Sequence, residues 1–186
     1  TNMQDDVKET VLEPFSVDEF RPEDAEGIVS LFRAVYGEGY PVRLFYDPET
    51  IVAANRDGSY ISVVARTDSG KIVGVNHLYH SAPCSKLYES GVGLVLKEYR
   101  NAGVNSKTLA YLYEKYIPRN AGIEEIFGEA VCNHVFMQKT VVAFGFLETA
   151  IEVALMPSEA YTKEKSAKGR VATLDMFRCY IPRPHR

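Results

Sequence analysis

VLKEYRNAGVNSKTL, residues 95–109, carries the strongest structural signal in this sequence. The pattern predicts a strand that ends at Leu96, a short loop, and a helix that begins near Gly103. A loop that enters a helix presents unpaired backbone N–H groups in one direction, and the helix dipole adds partial positive charge there. Such a unit is typical of an anion site that fits a pyrophosphate, with Arg100 and Lys107 as sources of full charge. Taken alone, the stretch also fits an ordinary helix start without a ligand.

The rest of the chain predicts elements in the order β-α-α-β-β-β-α-β-α-β-β. Helices are predicted to begin near residues 22, 48, 103 and 134, and strands to cover 15–20, 61–65, 71–79, 88–96, 123–132, 146–156 and 171–181. An antiparallel run of strands leads into a strand-helix-strand unit. This order predicts an α/β fold with a mixed, mostly antiparallel central sheet and helices on both faces.

One domain is predicted over residues 14–182, because no repeat or linker divides the chain and 46% of the residues are hydrophobic. Residues 1–13 show no hydrophobic periodicity and are expected to form a flexible tail. Residues 183–186 follow Pro182 and are expected to be a tail or a linker to a further domain.

Composition narrows the classes of partner. The 21 Lys and Arg against 25 Asp and Glu give a net charge of −4, which argues against nucleic acid. Neither a membrane span nor a signal peptide is predicted, so a cytoplasmic location is expected. Cys84, Cys132 and Cys179 form no C-x-x-C pair, and alternation sends His77 and His80 to opposite faces of a strand. No metal site is therefore predicted.

The segment RNAGVN, residues 100–105, resembles the R-x-x-G-x-G/A signature of the GNAT superfamily of acyl-CoA-dependent N-acetyltransferases. The resemblance implies a GNAT-like fold and acetyl-CoA as co-substrate. It implies that the CoA pyrophosphate is cradled by Arg100, Asn101, Ala102, Gly103, Val104, Asn105 and Ser106. It also implies that the pantetheine arm is hydrogen-bonded, like an added strand, by the backbone of Leu94, Val95 and Leu96.

A second segment is similar to the same family in order and spacing. A strand ends at residues 129–131, Asn133 or His134 opens the next helix, and Gly145 followed by Phe146 closes it. The resemblance implies that Asn133, in the place of the family's helix-opening asparagine, belongs to the co-substrate site.

Two positions depart from the family's pattern. Asn105 replaces the last Gly or Ala of the signature, so its side chain must turn away from the phosphates or bond them. Val141 occupies the place of a tyrosine that protonates the leaving thiolate, and valine cannot transfer a proton. Acetyl-CoA binding is therefore better supported than turnover, with Tyr79, His134 and Cys132 as substitute acids. His134 is alternatively only a helix-opening residue.

Two carboxylates are candidates for the general base that takes the proton of the acceptor amine. Glu89 lies on the strand before the 100–106 loop, and alternation predicts that it shares a face with Gly91, Gly93 and Val95. Glu129 lies on the adjoining strand. Either residue is alternatively a solvated carboxylate. A backbone N–H near Val95 is the expected oxyanion donor.

The aromatic loop over residues 36–46 follows the first predicted helix. Two interpretations are open for its aromatic residues: they form a wall of the acceptor pocket, or they only pack the two helices together. The residues are Tyr36, Tyr40, Phe45 and Tyr46. A cationic amine would be favoured by the nearby Glu38, Asp47 and Glu49.

Two functions follow from these patterns. One is an N-acetyltransferase that acts on a primary amine of a small molecule or protein. The other is a non-catalytic acetyl-CoA sensor module of a larger bacterial regulatory protein. Where the chain self-associates, a homodimer is expected.

Overall fold

Seven strands form one mixed sheet in the computed structural model, which describes residues 11–133, 135–157 and 170–181. Along the chain they are β1 (Phe15–Glu19), β2 (Tyr60–Thr67), β3 (Ile72–Tyr79), β4 (Leu87–Val95), β5 (Glu125–Val131), β6 (Leu147–Pro157) and β7 (Arg170–Cys179). Their order across the sheet is β1-β2-β3-β4-β5-β7-β6. Strands β4 and β5 run parallel, and the other neighbours run antiparallel. The prediction of a mixed, mostly antiparallel sheet is confirmed.

Helices cover both faces of this sheet, in the predicted order. They are α1 (Ala25–Tyr36), α2 (Pro48–Asp57), α3 (Val104–Ala110) and α4 (Val135–Ala143). α3 continues through a π-helical segment at Tyr111–Tyr116 and a 3-10 turn at Ile117–Arg119. Within the described part of the chain, no helix is long and apolar enough to span a membrane.

Two apolar layers hold the helices on the sheet. On the α1–α2 face the layer includes Ile28, Phe32, Phe45, Val64, Val75 and Leu94. On the α3–α4 face it includes Leu78, Leu112, Tyr113, Ile126, Val141 and Met176. Full burial of one such side chain contributes about 1.5–3 kcal/mol, so both layers fix where the helices, and the loops between them, lie.

The predicted tail lies only partly within the described residues, since 1–10 and 182–186 fall outside them. Glu13 accepts hydrogen bonds from the backbone N–H of Ser69 (2.6 Å) and from its hydroxyl (2.8 Å). The hydroxyl of Tyr99 donates to the carbonyl of Glu13 (3.0 Å). Contacts with the domain thus begin one residue before its predicted boundary at 14.

Strands β4 and β5 separate part of the way along their length. They pair only where Leu87, Tyr88 and Glu89 face residues 125–127. Beyond that point β4 stays paired with β3, and β5 stays paired with β7 as far as Val131. The two central strands therefore diverge, and this opening lies between the two helical layers.

Candidate active site

The 100–106 loop connects β4 to α3 and has the geometry of an anion site. A 3-10 turn at Lys97–Tyr99 follows β4, and α3 begins at Val104 with Gly103 as its N-cap. Gly103 is left-handed (φ 76°, ψ 13°), a conformation that disfavours residues with a Cβ. A Cβ placed there would meet no heavy atom within 4 Å. The space beside this backbone is therefore open to a ligand.

The two cationic side chains predicted to supply charge to the loop have different surroundings. Arg100 is exposed, and its charge partly offsets the rise that burial causes in the pKa of Tyr36. The ammonium of Lys107 lies 4.7 Å from the centre of the Phe15 ring, in a cation–π contact. Arg100 is thus the cation that the loop presents to solvent, while Lys107 is turned toward β1.

Asn105, which departs from the family's signature, turns its side chain toward the sheet. Its Oδ1 accepts a 3.0 Å hydrogen bond from Nδ2 of Asn76 on β3, and the same Nδ2 donates to Oγ1 of Thr108 (2.7 Å). A Cβ on Gly93 would overlap Oδ1 of Asn76. Asn105 therefore points away from the predicted phosphate site, and a glycine of β4 makes room for the amide that holds it.

A β-bulge interrupts β4 beside this network. Val92 has a positive φ of 53°, which is rare for a β-branched residue. The pairing of β3 with β4 shifts register between Val75 and His77. Bulges of this kind redirect side chains and are common next to active sites.

The bulge changes which residues of β4 share a face. Glu89 and Gly91 lie on the α1–α2 face, where a Cβ on Gly91 would lie 2.7 Å from the Tyr79 hydroxyl. Gly93 lies on the opposite face, against the buried amide described above. Val95 packs with the start of α3 on that same opposite face. The prediction that all four residues share one face is wrong, because strict alternation ends at the bulge.

Glu89 is held by a tyrosine on the neighbouring strand. Its Oε1 accepts a 2.7 Å hydrogen bond from the hydroxyl of Tyr79, whose ring stacks on Tyr60 with centres 5.1 Å apart. Burial, together with the carboxylate of Glu89, raises the pKa of Tyr79. Tyr79 therefore keeps its proton and orients Glu89, and its role as an acid for the thiolate stays a prediction.

The aromatic residues of the 36–46 loop divide between the two predicted roles. Phe45 is fully buried and stacks on α1 through Phe32, with ring centres 4.3 Å apart. The hydroxyl of Tyr46 donates to a loop carbonyl (2.8 Å) and accepts from the N–H of Tyr40 (2.9 Å), which fixes the loop. Tyr36 is 45% exposed and lies 5.0 Å from Tyr40, centre to centre. Phe45 and Tyr46 therefore fit the packing interpretation. Tyr36 and Tyr40 fit the interpretation as a wall on the α1–α2 face.

The acids near that loop form local contacts. Glu38 accepts a 2.8 Å hydrogen bond from Nε of Arg33, and both side chains are exposed. Asp47 caps α2 by accepting from the N–H of Glu49 (2.9 Å). The preference of these three acids for a cationic amine stays a prediction.

Three other carboxylates meet on the α1–α2 face and form what is here named the carboxylate cluster, consisting of Glu129, Glu152 and Asp175. Glu129 of β5 stands opposite Asp175 of β7, and Glu152 belongs to β6. One oxygen from each lies within 4.8 Å of the other two. Partial burial and the negative charges of Glu89, Glu152 and Asp175 raise the pKa of Glu129. Sequence reasoning found Glu129 but missed its two partners.

Val141 lies at the divergence of β4 and β5, on the α3–α4 face. Its side chain is buried and lines a small cavity with Ser90, Tyr113 and Gly128. The hydroxyl of Tyr113 lies 2.6 Å from Oγ of Ser90, and burial raises the pKa of Tyr113 to about 12. A phenol from the π-helical segment therefore stands beside the valine that replaces the family's tyrosine. Spacing along the chain gave no signal for this residue.

Two further predicted site residues, Cys132 and Asn133, follow the end of β5. Cys132 is half-buried, and its N–H donates to the carbonyl of Ala172 (2.9 Å). Asn133 lies in the turn before α4. His134 lies outside the described residues, so its predicted roles stay predictions.

The two histidines of the β3 region do not approach each other. His77 is buried against Phe45, with ring centres 4.9 Å apart, and burial lowers its pKa to about 3. His80 follows the end of β3 and packs on Tyr88 at 3.9 Å.

These features define a class of fold. The seven-stranded mixed sheet with its helices has the fold of solved GNAT acetyltransferases, as the sequence motifs predicted. No protein-family model matches the sequence, and no curated protein matches it significantly.

Solved structures show the likeness directly. An acetyltransferase of the GNAT family from Streptococcus pneumoniae matches with a TM-score of 0.71 and 15% identity, over 89% of this chain and 99% of that one. The dodecameric spermidine N-acetyltransferase of Vibrio cholerae matches at 0.66 and 14% identity, over 89% and 93%. An aminoglycoside 6′-N-acetyltransferase complexed with coenzyme A matches at 0.62 and 15% identity, over 91% and 99%.

Proposed function

We propose that the chain is an N-acetyltransferase that moves the acetyl group of acetyl-CoA to an amine. The observation that carries the proposal is the divergence of β4 from β5, which has the 100–106 loop at one end and Glu89 beside it on the α1–α2 face. A structural neighbour with this fold is an N-acetyltransferase complexed with coenzyme A, which supports the choice of co-substrate.

In this proposal, the 100–106 loop binds the pyrophosphate of the co-substrate. The backbone N–H groups at the start of α3 and the exposed Arg100 supply positive charge, and the open space at Gly103 admits the phosphates. The backbone of residues 94–96 hydrogen-bonds the pantetheine arm within the opening between β4 and β5. The thioester is thereby brought to the middle of the sheet, near the bulge at Val92.

Proton transfer is assigned to Glu89. Its carboxylate takes the proton of the amine, directly or through one water, and the nitrogen lone pair forms the new N–C bond. A backbone N–H near Val95 stabilises the oxyanion of the tetrahedral intermediate. Collapse of that intermediate breaks the C–S bond, and the thiolate leaves with the electron pair.

The departing thiolate has a weak proton donor beside it. Val141 cannot donate, and the neighbouring Tyr113 keeps its proton because burial raises its pKa to about 12. A thiol resembling a free cysteine has a pKa of about 8.5, so the thiolate can leave unprotonated and take its proton from water. Turnover is therefore expected to be slow at neutral pH and faster at alkaline pH, where the acceptor amine is also neutral.

The test measures thiol release from acetyl-CoA over a panel of amines, with mass spectrometry of the acetylated product. We expect thiol release that depends on the acceptor. Tight acetyl-CoA binding by calorimetry without any such release would favour the sensor module instead. Absence of acetyl-CoA binding would contradict both functions.

A further inference from the structure

The carboxylate cluster has no cationic partner in the part of the chain that the structure describes. The ion pairs found there use other acids, and none of them includes Glu129, Glu152 or Asp175. Three carboxylate oxygens this close to one another repel unless protons or a cation are shared among them. Within the described ranges, the arrangement is therefore a site for positive charge with no cation to neutralise it.

Two oxygen atoms at the cluster also lack hydrogen-bond donors among the described residues. They are Oγ1 of Thr173, a side chain only 1% exposed, and the buried Oε2 of Glu152. Thr173 stands opposite Glu152 and two residues before Asp175, so its side chain lies on the same face as the cluster. Buried polar atoms are nearly always hydrogen-bonded, so these oxygens indicate a donor that the described residues do not supply.

Glu89 extends the cluster into a row across four neighbouring strands. The row starts at Glu89 on β4 and continues through Glu129 on β5 and Asp175 on β7 to Glu152 on β6. The three cluster oxygens lie within 4.8 Å of one another, whereas Glu89 stands apart from them on β4, where β4 diverges from β5. Two separate negative groups, Glu89 and the carboxylate cluster, therefore share this face, and the pair matches a molecule with two separated amino groups.

Apolar surface lies next to the row. Phe127 stands beside Glu89 on the paired strand and stacks on Phe177 of β7, with ring centres 5.3 Å apart. Both rings lie on the α1–α2 face, two residues from Glu129 and Asp175 respectively. Methylene groups between two amino groups can pack on these rings while the ends reach carboxylates.

We propose that the acceptor is a linear diamine or polyamine, an inference that rests on the proposed acetyl transfer. One amino group, in its neutral form, reacts beside Glu89. A second, as ammonium, donates hydrogen bonds to the carboxylate cluster and to the hydroxyl of Thr173. An ammonium fits these acceptors because it carries three N–H donors and one positive charge.

The experiment compares kcat/KM for 1,4-diaminobutane, spermidine and butylamine at one pH, using the full chain and acetyl-CoA. The two polyamines are expected to exceed butylamine at least about tenfold, the effect of one charge-assisted hydrogen bond. Glu152→Gln and Asp175→Asn should each lower the ratio of diamine to monoamine by a similar factor. Glu148→Gln removes the same charge from an exposed position of β6 outside the cluster and should leave the ratio unchanged.

The outcomes separate this inference from the proposed function. Equal kcat/KM for diamine and monoamine, or a ratio insensitive to both cluster variants, would overturn the inference while acetyl transfer stands. If no amine is acetylated, calorimetry with 1,4-diaminobutane on the CoA-loaded protein decides. Binding that is lost in Glu152→Gln would support the cation site without the transfer. Displacement of the diamine by Mn²⁺ bound at the cluster would overturn the inference in favour of a metal site.

Discussion

The 100–106 loop and the carboxylate cluster are built in opposite ways. The loop consists of consecutive residues, and its chemistry lies in backbone N–H groups that Gly103 exposes at the start of α3. The cluster joins side chains of three strands, Glu129, Glu152 and Asp175, which only the sheet brings together. A backbone site depends on shape, whereas a side-chain site depends on charge. Substitutions in the loop should therefore act through steric fit, and substitutions in the cluster should act through electrostatics.

The largest expected effect tests whether the loop works through shape. Gly103→Glu fills the open space beside the backbone and adds a negative charge, so we expect calorimetry to show no measurable acetyl-CoA binding. Gly103→Ala is the matched control, because both variants pay about 1–2 kcal/mol for a Cβ in the left-handed conformation. Alanine should retain binding with a similar loss of thermal stability. If both variants retained the same acetyl-CoA affinity, the loop would not be part of the CoA site.

The second effect concerns the carboxylate that lies between the two regions. Glu89→Gln retains the hydrogen bond from Tyr79 but cannot accept a proton, so kcat should fall about 10²–10⁴-fold. Acetyl-CoA affinity should not change, since the loop is untouched. Tyr79→Phe should lower kcat less, because it frees Glu89 without removing it. If Glu89→Gln kept a kcat close to that of the unmodified chain, Glu129 would be the general base instead.

The same contrast explains what the sequence could predict. The loop was predictable because its signals are local: a strand end, a glycine and a helix start within residues 95–109. The order of elements was predictable for the same reason, since each helix and strand has its own periodicity. The wall of the α1–α2 face was only partly predictable, because composition did not distinguish the buried Phe45 from the exposed Tyr36.

The cluster and the bulge were not predictable, because both depend on pairing between strands. Asp175 meets Glu129 only through the register of β5 with β7. Val92 breaks the alternation on which the shared face of Glu89 and Gly93 had been predicted. A single extra residue in a strand reverses the faces beyond it, and nothing in the local sequence reports such an event except nearby glycines.

The third effect tests the cavity at the divergence of β4 and β5. Val141→Tyr should raise the rate of transfer about tenfold at neutral pH if the new hydroxyl reaches the thiolate, a modest share of what acid catalysis supplies. The larger ring must displace packing around Tyr113 and Phe146, so thermal stability should fall. Val141→Phe is the control that adds the ring without the hydroxyl. A rate gain shared by both variants would show that packing, and not proton transfer, limits the reaction.

The smallest expected effect is a change in melting temperature, measured without a ligand. It tests whether charge repulsion acts within the cluster. Like charges about 4 Å apart repel by about 1 kcal/mol in water, so Glu129→Gln should raise the melting temperature by about 2–4 °C at neutral pH. The folded-state pKa of Glu129 is raised, so the folded protein binds the proton more tightly than the unfolded chain. The repulsion is therefore relieved as pH falls, and the gain from glutamine should shrink from about pH 8 to about pH 5. Glu148→Gln, outside the cluster, should show neither the gain nor its dependence on pH. A gain at pH 8 that persists unchanged at pH 5 would mean that Glu129 is not under electrostatic strain, and the contrast between a shape-dependent loop and a charge-dependent cluster would then fail.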